Sequence, residues 1–265
     1  MNARCLPSLL LMTLSCAAVQ AVVAAESPVM HRVRITGSGA ATVVFESGLG
    51  DTLQVWQRVQ DAVARDCART LSYNRTGYPG SRGVMATRDA ATVVAELRAE
   101  LVGRGLAPPY VLVGHSLGGL YMQYYARNYP EEVAGLLLVD STHHDQLARM
   151  RAQVPAMYGT VRAVSLVMIG PMRREFADST LAGEQVRASP LPAGTPTIVL
   201  SSTRAAPGET PAFRALMRRL QDDIAAEFGA RRHTFPLASG HYIQRDRPQA
   251  VIDAARELAG CVADS

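Results

Sequence analysis

The chain has 265 residues and a formal net charge of +4 at pH 7. Its 27 basic residues are all arginines, and they are scattered among 23 acidic residues instead of clustering with aromatic side chains. This distribution argues against a nucleic-acid partner. The length fits one sizeable domain.

The N-terminal residues 1–25 have the pattern of a secretory signal peptide. Arg4 supplies the positive charge, an apolar run follows it, and small residues at 23–25 form a cleavage site. The apolar run is too short for a retained membrane span. We therefore predict an exported protein, periplasmic or secreted, with a mature domain at 26–265. A lipoprotein modified at Cys16 is the alternative.

Several apolar, β-branched segments are predicted strands, and patterns with helical periodicity separate most of them. The predicted strands are residues 32–36, 42–46, 70–73, 110–113, 135–139, 197–200 and 233–237, and the predicted helices are residues 55–66, 89–104 and 248–258. Continuous apolar strands separated by helices indicate an α/β fold, in which a mostly parallel sheet has helices on both faces. The first strand alternates in character, so we place it antiparallel at the sheet edge.

The long segment at 141–196 carries no predicted strand but contains several apolar residues between Val161 and Ile169. Irregular segments of this length in a compact domain are usually functional or disordered, and the apolar content argues against a linker. We predict a small helical lid insertion, and ordinary surface helices that never move are the alternative.

The most informative motif is Gly114-His115-Ser116-Leu117-Gly118, which follows a predicted strand and precedes a helical pattern. A serine on a tight strand-to-helix turn has a strained backbone, and glycines two residues away on either side allow neighbouring chain to approach closely. The hydroxyl is then exposed above the sheet, and the next amide points to where negative charge develops. The motif predicts that Ser116 is a nucleophile, and a glycine-rich turn with an incidental serine is the structural alternative.

Four stretches of the chain resemble the α/β-hydrolase superfamily, most closely its serine esterase and lipase branch. They are the motif around Ser116, a strand with a glycine-rich turn at 43–50, a loop at 73–81, and residues 238–241 after the last predicted strand. The resemblance covers roughly residues 33–262. It implies an α/β-hydrolase fold with a small helical lid and a catalytic triad of serine, histidine and an acid.

Under this resemblance His241 is the catalytic base, because the family places its histidine between the last strand and the C-terminal helix. The backbone amides of Leu49 and Leu117 are the implied oxyanion hole, although this chain has Ser47 where the family usually carries histidine. The loop at 73–81 is interpreted as structural. His115, beside the nucleophile, is interpreted as a packing residue.

The acid of the triad has more than one candidate. Most members of the family carry it after the penultimate strand, where this chain offers only Glu209. The other family position ends the strand after the nucleophile helix, as in pancreatic-type lipases, and here it is Asp140. We predict Asp140, with Glu209 and Asp145 as alternatives. A helix N-cap or a turn is the structural role that Asp140 would otherwise have.

The predicted function is that of a serine hydrolase that cleaves a carboxylic ester or related acyl bond of a small molecule through an acyl-enzyme intermediate. No metal or cofactor is expected, because the adjacent residues His143, His144 and Asp145 are not expected to converge on one ion. An acyltransferase, an amidase or peptidase, and a non-catalytic binding protein of this fold are the alternatives.

Export would leave Cys67 and Cys261 as the two cysteines of the mature chain. An even number of cysteines in an oxidising compartment favours a disulfide. The α/β-hydrolase pattern implies that the helices before these residues lie on the same face of the sheet. We therefore predict a Cys67–Cys261 disulfide, and two buried free thiols are the alternative.

Overall fold

The computed structural model describes residues 32–66, 68–83, 87–191 and 194–261. The predicted signal peptide, with Arg4 and Cys16, and also Cys67 lie outside the described residues. The predictions of export and of a disulfide therefore stay predictions. None of the helices within the described ranges has the length and apolar character needed to cross a membrane.

The described residues form one sheet and a set of helices around it. The strands are β1 (Val33–Thr36), β2 (Ala41–Glu46), β3 (Ala68–Tyr73), β4 (Tyr110–His115), β5 (Val133–Val139), β6 (Thr197–Leu200) and β7 (Arg232–Thr234). The helices are α1 (Gln57–Asp66), α2 (Ala90–Gly103), α3 (Leu117–Asn128), α4 (Gln146–Gln153), α5 (Pro155–Ser165), α6 (Gly170–Ala188), α7 (Pro211–Glu227), α8 (Ile243–Asp246) and α9 (Pro248–Leu258). Short 3-10 turns at Leu53–Trp56 and Pro130–Glu132 precede α1 and β5.

The sheet has the order β1-β3-β2-β4-β5-β6-β7, and the predicted fold is confirmed. β1 pairs antiparallel with β3 at one edge, and the other pairings are parallel. The last strand is shorter than predicted and ends at Thr234. Pro236 has no amide hydrogen, so it cannot donate a backbone hydrogen bond to β6 and extend the pairing.

Both faces of the sheet are apolar because helices cover both of them. Along β2 and β4, Val44 and Leu112 belong to the core beneath α2 and α3, whereas Val43 and Val113 belong to the core beneath α1 and α9. All four side chains are fully buried. This two-sided burial explains why the strands are continuous apolar runs in the sequence, and it leaves the loops at the carboxyl ends of the parallel strands free to carry a site.

Helices α1 and α9 pack against each other on one face of the sheet, where the guanidinium of Arg256 donates to the carbonyl of Ala62 at 3.0 Å. α1 ends directly before Cys67 in the sequence, and Cys261 directly follows the turn after α9. The shared face agrees with the basis of the disulfide prediction, although the bond itself involves a residue outside the described ranges.

The segment predicted as a lid contains α4, α5 and α6. α6 packs on α2 and α3, and α4 packs on α7. The turn between α5 and α6 is open to solvent, since Leu166, Val167 and Ile169 are 78%, 78% and 79% exposed. The apolar residues of this turn are therefore exposed, and whether the segment moves as a lid stays a prediction.

Helix α7 is absent from the sequence-based prediction. Its buried residues Leu216, Leu220 and Ile224 follow helical spacing, and Thr210 caps its first turn by accepting a hydrogen bond from the amide of Phe213. Both signals are present in the amino-acid sequence. The helix matters for the site, because its first turns form one wall of the cavities described below.

Candidate active site

Ser116 occupies the turn between β4 and α3. Its φ of 52° and ψ of −124° lie in a region that L-residues rarely adopt, and such strain costs on the order of 1–3 kcal/mol. The amide of Ser116 donates to the carbonyl of Val139 at 3.2 Å, and the carbonyl of Ser116 accepts from the amide of Thr142 at 3.0 Å. The loop after β5 thus holds the strained turn in place.

The glycines of the motif are required by close approach of neighbouring backbone. A Cβ atom on Gly114 would lie 2.6 Å from the Cα of Gly119, and a Cβ atom on Gly118 would lie 2.4 Å from the carbonyl oxygen of Ser47. Both distances are shorter than real Cβ contacts. The second one shows that the loop after β2 lies directly against the first turn of α3, so the two predicted sources of oxyanion donors are in contact.

Asp140 and His241 form a hydrogen-bonded pair at the carboxyl end of the sheet. The Nδ1 atom of His241 donates to Oδ2 of Asp140 at 2.7 Å, and Oδ1 of Asp140 accepts from the amide of Ser202 at 2.8 Å. Asp140 follows β5 with a φ of 43°, a conformation that aspartate tolerates better than most residues. The structure therefore brings together two of the predicted site residues that are 101 positions apart.

The pair favours an ionised acid and a basic imidazole. Burial opposes the ionisation of Asp140, but the hydrogen bond and charge of His241, with the Ser202 amide, bring the pKa of Asp140 below its ordinary value. Partial removal of the His241 ring from water disfavours its imidazolium form and by itself would lower its pKa. The hydrogen bond and charge of Asp140, with smaller contributions from Asp51 and Glu209, nevertheless raise the pKa of His241 above its ordinary value.

The alternative acids have other partners. Glu209 accepts a hydrogen bond from the amide of Ala206 at 2.9 Å and lies 3.6 Å from the guanidinium of Arg214. Asp145 pairs with Arg187 at 3.2 Å. Within the described part of the chain, neither carboxylate is hydrogen-bonded to His241, so the geometry favours Asp140 over both alternatives.

His115 is buried beneath the pair and holds the backbone of His241. Its Nε2 atom donates to the carbonyl of His241 at 2.9 Å, and its ring lies 4.6 Å from the His241 ring, centroid to centroid. Burial, with the charge of His241, lowers the pKa of His115 to about 3, so its ring is neutral at physiological pH. Besides its predicted packing role, His115 therefore makes a hydrogen bond to the backbone of the candidate base, His241.

The loop that carries Leu49 is held by Arg75, whose guanidinium donates to the carbonyls of Ser47 at 2.6 Å and Gly48 at 2.9 Å. The amide of Gly50 donates to the hydroxyl of Tyr78 at 2.9 Å. Neither the Leu49 amide nor the Leu117 amide donates to another described residue, so both remain available for a bound oxyanion. Arg75 thus supports this loop from outside, and the Ser47 hydroxyl, which stands where the family usually has histidine, adds a 3.3 Å hydrogen bond to the carbonyl of Thr52.

Arg75 also connects this loop to helix α6. Its Nε and Nη2 atoms donate to the two carboxylate oxygens of Glu175 at 2.6 and 2.8 Å, and Nη1 donates to Glu46 at 2.5 Å. All three side chains are at most 2% exposed. The Tyr78 hydroxyl adds a 2.8 Å hydrogen bond to Glu175. The loop at 73–81, interpreted as structural from the sequence, is therefore the element that ties the glycine-rich loop to α6.

Two cavities border Ser116. The larger, of about 880 Å³, is also lined by Asp140 and His241. The smaller, of about 240 Å³, is also lined by Leu49 and Leu117. Ser116 therefore lies where two cavities meet, with the candidate base bordering one and the candidate oxyanion donors bordering the other.

Comparison with known sequences shows the family to which the chain belongs. The sequence pattern of the alpha/beta hydrolase family matches residues 43–254. The chain belongs to this family. The putative carbamate hydrolase RutD of Yersinia enterocolitica serotype O:8 is 31% identical over 110 residues, which are 40% of this chain and 39% of that protein. Matches to two other curated relatives span only 32% and 43% of those proteins.

Solved structures of other proteins have the same fold as this alpha/beta hydrolase. A hydrolase from Pseudomonas aeruginosa PA01 has a TM-score of 0.57 at 22% identity, with 86% of this chain and 93% of that chain covered. A thermophilic esterase from Thermogutta terrifontis has a TM-score of 0.55 at 20% identity, with 85% of this chain and 91% of that chain covered. At these identities the likeness shows the fold alone.

His143 and His144 converge with Glu227 in this alpha/beta hydrolase, so the expectation that these adjacent histidines do not converge is wrong. The two adjacent histidine rings stack at 4.0 Å and bring ligand atoms within 4.8 Å of one another and of the Glu227 carboxylate, so adjacent residues do converge. However, the amide of Asp145 donates to Nδ1 of His143, which leaves the proton of the neutral ring on Nε2, the atom that a metal would need. Arg127 already pairs with Glu227. The Asp145 amide and the Arg127 guanidinium therefore already engage His143 and Glu227, which disfavours a metal at this cluster.

Sequence reasoning missed the residues that support the site. A supporting role for Arg75 is predictable from the sequence, because this residue lies in a stretch that resembles the family's loop. Glu175 carries no local signal, since its partner is 100 residues away and its helix was read only as part of a lid. The sequence predicts a packing role for His115 but not its hydrogen bond to the His241 carbonyl, because the two residues are 126 positions apart.

Proposed function

We propose that this alpha/beta hydrolase is a serine hydrolase that cleaves a carboxylic ester, or a related acyl bond, through an acyl-enzyme on Ser116. The observation that carries the proposal is the 2.7 Å hydrogen bond from His241 to Asp140 beside a cavity that Ser116 also lines. Because Nδ1 of the neutral ring holds the proton in that hydrogen bond, Nε2 is left with a free electron pair. A base with this tautomer is what the serine hydroxyl needs.

The proposed reaction has two steps. His241 takes the hydroxyl proton of Ser116 while Oγ forms a bond to the acyl carbon, and the amides of Leu49 and Leu117 donate to the oxyanion. The carbon–oxygen bond to the alcohol then breaks, and His241 gives its proton to the departing oxygen. In the second step His241 takes a proton from water, the water oxygen attacks the acyl-enzyme, and the released Ser116 oxygen regains a proton.

Each part of the site has a separate energetic role in this reaction. Two preorganised amides that donate to the oxyanion contribute roughly 3 kcal/mol each to transition-state stabilisation. Asp140 keeps the imidazole in the required tautomer and stabilises the imidazolium that forms. A serine at the strand-to-helix turn favours acyl transfer over reactions of this fold that begin with an aspartate nucleophile.

Other reactions would use the same groups. A relative named as a putative carbamate hydrolase motivates a carbamate as one related acyl bond, although the match covers less than half of either chain. An acyltransferase would pass the acyl group to an alcohol or amine instead of water, and an amidase or peptidase would release an amine. A non-catalytic binding protein of this fold would have no use for the Asp140–His241 pair.

The test combines covalent labelling with hydrolysis. A fluorophosphonate probe is expected to label Ser116, located by peptide mass spectrometry, and p-nitrophenyl esters are expected to be hydrolysed. Ser116→Ala should remove the label and lower hydrolysis by several orders of magnitude. Hydrolysis by the Ser116→Ala variant at the parent rate, or labelling of another serine, contradicts the proposal. Added alcohols or amines that capture the acyl group identify an acyltransferase.

We also propose export of the mature domain 26–265 to the periplasm or the medium. The proposal rests on the amino-acid pattern of residues 1–25 alone. N-terminal sequencing of the protein from its native host tests it. A first residue near Glu26 supports cleavage, and a lipid-modified Cys16 at the N-terminus supports the lipoprotein alternative.

A further inference from the structure

We infer that this hydrolase divides its substrate between two cavities, with an apolar acyl group of medium length in the smaller cavity and a polar leaving group in the larger one. The inference rests on the proposed function and adds the class of substrate. It follows from which residues line each cavity and from the geometry of the acyl-transfer step.

The two cavities meet at Ser116 but have different catalytic groups on their walls. Thr142, Gln146 and Phe213 line both of them. His241 lines the larger cavity and is not part of the smaller, whereas Leu49 lines the smaller cavity and is not part of the larger. The base and the oxyanion donor of the glycine-rich loop therefore face different spaces on either side of the nucleophile.

This separation determines how an ester binds. In the tetrahedral intermediate the acyl carbon carries the Ser116 oxygen, the oxyanion, the leaving oxygen and the acyl chain. The leaving oxygen must receive a proton from His241, so the leaving group extends into the larger cavity. The oxyanion is directed to the amides of Leu49 and Leu117. The acyl chain takes the remaining direction, which leads past these leucines into the smaller cavity.

The walls of the smaller cavity suit an apolar chain. Apolar residues such as Leu49, Leu120, Met150, Val161 and Phe176 make up most of its wall, beside polar residues such as Ser179 and Thr180. Among its charged lining residues, Asp145 and Arg187 pair with each other at 3.2 Å, and Glu184 is exposed to solvent. A carboxylate or ammonium group on the acyl chain would therefore meet mainly hydrocarbon at a high desolvation cost.

The volume of the smaller cavity limits the length of the chain. An apolar cavity of about 150 Å³ binds benzene, which corresponds to about 25 Å³ per carbon atom. The smaller cavity, of about 240 Å³, accordingly holds up to roughly ten carbons. We expect acyl groups of about six to ten carbons to fill it best, because shorter chains leave apolar surface unfilled and the additional carbons of longer chains lie outside it.

The larger cavity differs in size and in charge. Its volume is about 880 Å³, and its charged lining residues include Arg204, Arg214, Arg245, Glu209 and Asp246. Arg204 pairs with Asp246 at 2.7 Å and Arg214 lies 3.6 Å from Glu209. Because more charged residues border this cavity than the smaller one, it accommodates a hydrated, polar leaving group more readily than the smaller cavity does. Substrates with a long apolar alcohol and a short acyl group are expected to be poor.

Val161 offers a test that leaves the catalytic groups in place. It lines the smaller cavity from α5, a helix in which no residue is fully buried, so a change of size there is expected to be tolerated by the fold. With p-nitrophenol as the constant leaving group, kcat/KM is measured for acyl chains of increasing length. We expect Val161→Phe to shift the best chain to shorter lengths and Val161→Ala to shift it to longer ones.

Ala215, on α7 in the larger cavity, provides the matched variant. Ala215→Phe is expected to leave the preferred acyl length unchanged and to lower kcat/KM for bulky leaving groups relative to p-nitrophenol. One methylene in an apolar pocket changes kcat/KM by about 10-fold or more, so shifts of this kind are measurable.

The outcomes separate this inference from the proposed function. Labelling of Ser116 with a flat or unshifted chain-length profile in both Val161 variants overturns the division of the substrate and leaves the serine hydrolase intact. If Ala215→Phe shifts the preferred acyl length and the Val161 variants do not, the acyl group lies in the larger cavity. That result also overturns the inference. Absence of both labelling and hydrolysis overturns the proposed function, and this inference with it.

Discussion

Arg75 and Glu175 form a buried two-point ion pair, with N–O distances of 2.6 and 2.8 Å, between the loop after β3 and helix α6. The same guanidinium holds the carbonyls of Ser47 and Gly48. Arg75 therefore fixes the loop of Leu49 and the helix that covers it as one unit. If the lid moves, it must hinge elsewhere than at Glu175, because separating this pair would leave the Arg75 charge buried without its partner.

Glu175→Gln should lower the free energy of unfolding by about 3–5 kcal/mol, because it leaves the Arg75 charge buried with incomplete compensation. The control is Arg174→Gln on the same helix, which removes an ion pair with Asp178 whose arginine is 48% exposed and should cost about 1 kcal/mol or less. Urea denaturation measures both. Equal, small losses in the two variants contradict the structural role of Glu175.

Asp140→Asn should lower kcat by about 10³–10⁴-fold with little change in KM, because an amide does not hold the imidazole in the required tautomer. Glu209→Gln should change kcat only a few-fold, since Glu209 makes its hydrogen bond to Ala206 and not to His241. Steady-state kinetics with one p-nitrophenyl ester compares them. The opposite ranking of the two variants would assign the acid to the loop after β6.

The pH profile of kcat/KM should fall on the acid side with a midpoint above 6.5, the ordinary pKa of histidine. His241 acts as a base only when neutral, and Asp140 raises its pKa, so activity is lost as the pH falls through the raised value. Asp140→Asn should move the midpoint of its residual activity to lower pH. A midpoint that stays where it is in this variant would show that another group titrates.

Gly119→Ala should destabilise the protein by about 1–3 kcal/mol, because its Cβ atom would lie 2.1 Å from Oγ of Ser141 and the surroundings must shift. Gly159→Ala is the matched control in another helix, since no atom lies within 4 Å of its Cβ position. It should stabilise the protein by about 0.5–1 kcal/mol. Thermal denaturation distinguishes the two signs, and a neutral Gly119→Ala would mean that the turn between β4 and α3 is packed more loosely than described.

A Cys67–Cys261 disulfide is expected in exported protein, since α1 and α9 pack on the same face and each precedes one of the cysteines. The bond would close a loop of nearly the whole domain, for which the loss of chain entropy in the unfolded state gives roughly 5 kcal/mol of stability. Intact mass after alkylation, with and without prior reduction, tests it. Two alkylated thiols in the unreduced protein contradict the bond.

The elements of the sheet could be read from the sequence because their signals are local. Continuous apolar runs such as 135–139 report burial on both faces, and the Gly-x-Ser-x-Gly motif contains the glycines that the strained turn of Ser116 requires. The predicted end of the last strand, residue 237, is wrong, because β7 ends at Thr234 before Pro236, which has no amide hydrogen to donate. That signal is also local. The convergence of His143 and His144 on Glu227 was missed because it depends on a residue from α7.

The sequence by itself determined the α/β fold, the turn that carries Ser116 and the position of His241 after the last strand, since each depends on residues close together in the chain. Only the tertiary structure decided between Asp140 and Glu209 as the partner of His241, and only it revealed Glu175 as the partner of Arg75. These contacts join residues about 100 positions apart, and their formation depends on how neighbouring strands and α6 pack.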